Sequence, residues 1–121
     1  RVIIVEDSVI RGTTGKSRVR SLRNAGAREV HMVVSCPPTR HACYYGIDFP
    51  STDQLVASNS TTSEIAEKLG LDSIYYLSKE GLVEATGRSS KGFCLACFDG
   101  NYPVPPNLDF RKDALHVKRG F

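Results

Sequence analysis

The chain has 121 residues, 40% of them hydrophobic and 24% charged, with a formal net charge of +3. This is the composition of an ordinary globular domain with one core, and no stretch approaches the roughly 20 consecutive apolar residues of a membrane span or resembles a secretory leader. A cytoplasmic setting with no membrane partner is expected. The cations Arg11, Lys16, Arg18, Arg20, Arg23 and Arg28 crowd one stretch without interleaved aromatics, which argues against nucleic acid and for a solvated helix face beside an anionic substrate.

The first element is the apolar run Val2-Ile3-Ile4-Val5, rich in β-branched residues, which reads as a strand buried on both faces. It runs into Glu6 and Asp7 and then into the small, hydroxyl-bearing loop Ser8-Val9-Ile10-Arg11-Gly12-Thr13-Thr14. Ligands of open α/β sheets gather beyond the carboxyl ends of strands, which is where these residues fall. Loop N–H groups, the Thr13 and Thr14 hydroxyls and the Arg11 guanidinium suit a phosphate at the positive end of a following helix. Gly15-Lys16-Ser17 imitates the tail of a nucleotide-binding G-x-x-x-x-G-K-[ST] loop, but that pattern requires glycine where Ile10 stands.

Residues 14–24 carry Val19 and Leu22 among arginines and end at Ala25-Gly26, a helix laid on a sheet. A second strand over 29–35 completes a βαβ unit with parallel strands, expected to be right-handed, and Cys36-Pro37-Pro38 stops it. Ser51 or Thr52 caps a turn over 53–57, and Thr61-Thr62-Ser63-Glu64 is a capping box ahead of a helix over 65–69 that Gly70 ends. A small strand is predicted over 73–77. Ser78 then caps a helix over 79–85 with Leu82 and Val83 buried, closing at Gly87. The proline-bearing stretch 101–121 has no periodicity and is expected to be an extended or disordered tail.

The four cysteines are Cys36, Cys43, Cys94 and Cys97, the last pair in Cys-Leu-Ala-Cys. Thiolates at that spacing bind one metal. A thioredoxin-like dithiol belongs at the start of a helix in a βαβ unit, and this pair comes late, so zinc and an iron–sulfur cluster remain as the two readings of the pattern. Cys36 reads as a small buried hydrophobe. His31, His41 and His116 have no spaced partner and are assigned no chemistry.

The segment from Glu6 to Thr14 resembles the phosphoribosyl pyrophosphate motif of type I phosphoribosyltransferases and, within them, of the amidophosphoribosyltransferases. Residues 37–48, with Ala42-Cys43-Tyr44-Tyr45-Gly46-Ile47-Asp48, and residues 92–103, with Cys94-Leu95-Ala96-Cys97-Phe98, are similar to the segments that hold a [4Fe–4S] centre in members of that family. The resemblance implies an α/β fold, part of a Rossmann-like parallel sheet of the type I phosphoribosyltransferase kind followed by a helical iron–sulfur segment. Residues 1–50 are the expected phosphoribosyltransferase core with its substrate loop, 51–100 the helical segment with the cluster cysteines, and 101–121 the tail.

In residue roles the resemblance implies that Glu6 and Asp7 serve the ribose hydroxyls and Mg2+, while Ser8, Val9, Ile10, Arg11, Gly12, Thr13 and Thr14 cradle the 5′-phosphate. The family more often carries Asp at the position of Glu6, which is one methylene longer. Cys43, Cys94 and Cys97 match three of the four cluster ligands, the fourth being expected outside this chain; no side chain is a nucleophile. The implied activity is transfer of glutamine-derived ammonia to phosphoribosyl pyrophosphate, giving 5-phosphoribosylamine in the first step of purine synthesis, by a homo-oligomer with an N-terminal glutaminase domain. On that reading this chain is a C-terminal piece, expected to be inactive or at best a weak binder alone and to show bare hydrophobic surface where the remaining strands should pair. The alternatives are a non-catalytic regulatory domain that binds phosphoribosyl pyrophosphate, and a zinc-binding interaction module.

Overall fold

The computed structural model describes residues 1–47, 51–88 and 92–106. Asp48, His116 and the tail expected beyond residue 106 lie outside them. Three strands, β1 (Val2–Glu6), β2 (Val30–Val34) and β3 (Ser73–Tyr76), form a sheet in the order β1-β2-β3. Both pairings are parallel, with Val2 opposite Val30 and Glu6 opposite Val34, then His31 opposite Ser73 and Val34 opposite Tyr76. The helices are α1 (Thr13–Asn24), α2 (Thr62–Leu69), α3 (Lys79–Ala85) and the short α4 (Ala96–Asp99), with a 3-10 turn at Thr52–Gln54.

The period-two alternation of β1 divides its side chains. Ile4 faces α1 and α2 and joins Val19, Val30, Met32, Val34, Ile65, Leu69 and Ile74 in the core. On the opposite face Ile3 is 65% exposed, Val5 73%, Val33 42% and Tyr75 65%. The expectation of a strand buried on both faces is therefore corrected: β1 is covered on one face, because α1 and α2 both pack on the same side. A parallel sheet is ordinarily covered on both faces; here the bare apolar surface lies on a face of the sheet, not at the strand edge where missing strands were expected to pair.

The predicted capping box exists. Thr61 Oγ1 accepts from the Glu64 N–H at 3.3 Å, the Glu64 carboxylate accepts from the Thr61 N–H at 2.6 Å, and Gly70 closes α2 in the left-handed conformation at φ +76°. The Ser78 hydroxyl caps α3 through the Gly81 N–H at 3.0 Å. Leu82 and Val83 are only half-buried, a second correction, since no residue of this two-turn helix enters the core.

One staple joins helix, sheet and loop. Arg23 of α1 donates to the Arg28 carbonyl at 2.6 Å and to the Asp72 carboxylate at 2.6 Å, and that carboxylate also accepts from the Val30 N–H at 2.7 Å. These bonds hold the Asp72 carboxyl below its ordinary value, the Val30 N–H contributing most and Arg23 next.

Candidate anion-binding site

Where β1 ends, a cleft of about 490 Å³ opens, in the range of small-molecule sites. It is lined by Glu6, every residue of the loop 8–14, Gly15, Met32 and Ile47. Val9 is buried in the core and the Ile10 carbonyl accepts from the Val56 N–H at 2.8 Å, so the loop is anchored at its middle. Among the described residues, the N–H groups of residues 8–12 donate to no backbone carbonyl. They are left for a ligand.

Gly12 sets the entry into α1. Its φ is +77°, a conformation that favours glycine, and a Cβ there would stand 2.8 Å from Leu69 Cδ2 and displace that methyl group. As N-cap it offers no side-chain oxygen, and the first turn of α1 holds no acid. The partial positive charge of the helix and its first N–H groups thus face the cleft uncompensated.

The two acids part company. Alternation places Glu6 on the helix side of β1, where it lines the cleft and its Oε1 pairs with Arg18 Nη1 of α1. Asp7 is exposed, is absent from the cleft lining, and accepts from the Ser8 hydroxyl at 3.2 Å. Arg18, Gly15, Met32 and Ile47 were not foreseen as parts of this site. For Arg18 the signal was available, because it lies one helical turn beyond Thr14 and the strand parity of Glu6 points the carboxylate at that helix.

The cysteines collect in a second region that touches the first through Ile47. All four are free thiols. The Cys97 carbonyl accepts from the N–H groups of Arg40 and His41 at 2.9 and 3.0 Å, and Tyr102 donates to the Ala42 carbonyl at 2.7 Å. The Tyr45 hydroxyl bonds the Val104 carbonyl and accepts from the Val104 N–H at 3.0 Å. The loop carrying Cys43 and the segment carrying Cys94 and Cys97 are thereby knitted together. Burial pushes the Cys97 thiol up to about 11, with the charges of Cys43, Cys94 and Cys36 among the smaller causes. Cys36 is raised by burial and then by Asp7. Beside it the buried Tyr76 hydroxyl has no partner among the described residues, and burial pushes it up to about 12. Among the described residues no three His, Cys, Asp or Glu side chains are arranged as a metal-ligand group, and no helix is long and apolar enough to cross a membrane.

No protein-family model matches the chain. It is 55% identical over 118 residues to the amidophosphoribosyltransferase of Synechocystis sp., covering 98% of this chain and 24% of that protein. Against the amidophosphoribosyltransferase of Methanocaldococcus jannaschii the identity is 50% over 109 residues, with 90% and 23% covered. Among solved structures it is similar to the glutamine phosphoribosylpyrophosphate amidotransferase from B. subtilis complexed with ADP and GMP, with a TM-score of 0.83 and 45% identity over 90% of this chain and 25% of the other. The chain thus spans about a quarter of the length of the curated relatives it matches.

Proposed function

We propose, from the premise that this chain belongs to the amidophosphoribosyltransferases as a segment of their sequence, that it supplies the phosphoribosyl pyrophosphate-binding part of an enzyme that makes 5-phosphoribosylamine from that substrate and glutamine-derived ammonia. One observation carries the reading: the cleft at the end of β1 is walled by the whole loop 8–14 and by a helix N-terminus that no side chain caps. That arrangement suits a dianionic 5′-phosphate. Binding energy from the phosphate aligns the remote anomeric carbon, where ammonia replaces pyrophosphate.

In this reading the N–H groups of residues 8–14 and the Thr13 and Thr14 hydroxyls hold the phosphate, with Arg11 adding charge. Glu6 accepts from the ribose hydroxyls inside the cleft. Asp7, exposed and outside the cleft lining, would hold Mg2+ with Glu6, and the cation would neutralise the leaving pyrophosphate. The chemistry of the donors also fits an iron–sulfur centre held by Cys43, Cys94 and Cys97 with a fourth ligand from outside the segment: the three are free thiols on two segments tied to each other. The role assigned to that centre is structural. A zinc-binding interaction module gives no account of the phosphate cleft. A homo-oligomeric, cytoplasmic enzyme with a glutaminase domain completes the proposal.

The test is calorimetric titration of the full-length protein with magnesium phosphoribosyl pyrophosphate, in the native form and as Asp7→Asn. Loss of about tenfold in affinity is expected for removing one charged partner of the substrate. Equal affinity in the two forms contradicts the role of Asp7, and no binding to either refutes the proposal. Iron and acid-labile sulfide are expected in anaerobically purified protein; zinc alone contradicts the cluster assignment.

A further inference from the structure

Glu6 is the only acid lining the cleft among the described residues, and its one ion-pair partner there is Arg18. The Glu6 side chain is 20% exposed and that of Arg18 49%. A pair this open adds little to stability, so its effect has to be sought in the geometry it imposes. Arg18 sits one turn beyond Thr14 on α1, and helical side chains lean toward the N-terminus, which carries its head back toward the strand end where Glu6 stands. A guanidinium beside a carboxylate oxygen favours one orientation of it and keeps its own charge throughout the accessible pH range. With Oε1 facing Arg18, Glu6 keeps its other oxygen for a ligand. Asp at this position is one methylene shorter and is expected to fall short of Arg18.

We propose that Arg18 is a positioning residue: it orients the Glu6 carboxylate toward the sugar hydroxyls of the ligand without touching the phosphate. This deepens the phosphoribosyl reading above and rests on it. Preorganising one acceptor affects sugar recognition while leaving phosphate recognition alone.

The two effects separate with two probes, ribose 5-phosphate and inorganic phosphate, titrated into the full-length protein as native, Arg18→Met, Glu6→Asp and the double variant. Arg18→Met is expected to weaken ribose 5-phosphate by about fivefold, the upper end of what an exposed ion pair contributes, and to leave inorganic phosphate unchanged. Because Asp falls short of the helix, Arg18→Met in the Glu6→Asp background is expected to add nothing, and Arg18→Lys to recover part of the native affinity. Equal weakening of both probes overturns the proposal in favour of a direct phosphate contact. Additive losses in the double variant, or a flat response to Arg18→Met while the native protein binds ribose 5-phosphate, overturn it as well. Failure of the native protein to bind either probe overturns the phosphoribosyl reading itself and this inference with it.

Discussion

At the start of α2 the Thr61 hydroxyl and the Glu64 carboxylate close over the first N–H groups, and an acid sits in the first turn. At the start of α1 there is Gly12, no side-chain cap and no acid. Both helices leave unsatisfied donors and partial positive charge at their N-termini. The first answers this with its own sequence and the second leaves it open beside a cleft, which is the difference the proposed phosphate site rests on.

That contrast is open to attack from either side. Thr13→Glu gives α1 the acid it lacks: affinity for magnesium phosphoribosyl pyrophosphate should fall about 100-fold through like-charge repulsion, while the helix gains about 0.3–1 kcal/mol. Titration and urea unfolding of the same sample read the two opposite signs, and a loss of both would mean simple disruption. Gly12→Ala strains the left-handed turn and meets Leu69 Cδ2, so thermal unfolding should show a loss of about 1–3 kcal/mol with weakened phosphate binding. Thr61→Ala removes the cap of α2 and should cost about 1 kcal/mol, with ligand affinity unchanged.

The smallest effect concerns acid. Glu64 is held below its ordinary value of 4.5, chiefly by the Thr61 N–H, and Asp72 below 3.8, chiefly by the Val30 N–H. Asp99 is likewise lowered from 3.8, first by the Lys79 ammonium at 2.9 Å. A carboxyl whose folded value lies below its unfolded one stabilises the fold above the unfolded value and loses that contribution as pH falls through the folded one. Unfolding midpoints should therefore be flat down to about pH 4.5 and decline below it. The decline should be shallower in Asp72→Asn than in the native protein; an identical slope would show that the staple does not titrate.

Local rules made most elements legible. The capping box of α2, the Ser78 cap of α3 and the prolines that stop β2 are short-range devices whose chemistry involves neighbours in the chain. Cover by other layers is not short-range. Four apolar residues in a row cannot distinguish a strand buried on both sides from one buried on one, and Ile3 and Val5 prove to be the exposed pair. Leu82 and Val83 fit a buried helix face, yet what α3 packs against is set by tertiary contacts that its seven residues do not encode. At the cleft, the loop was readable from its residue types and the glycine. The split between Glu6 and Asp7 follows from strand parity, and the partner of Glu6 came from another element altogether.

The uncovered side of the sheet bears on the cleft as well. Ile3 and Val5 belong to the strand that ends in Glu6, so any hydrocarbon layer laid against them also braces the acid at the strand's tip. On the proposed function, a substitution in such a layer, many residues away along the chain, would be felt as a loosened grip on the sugar before it was felt as unfolding.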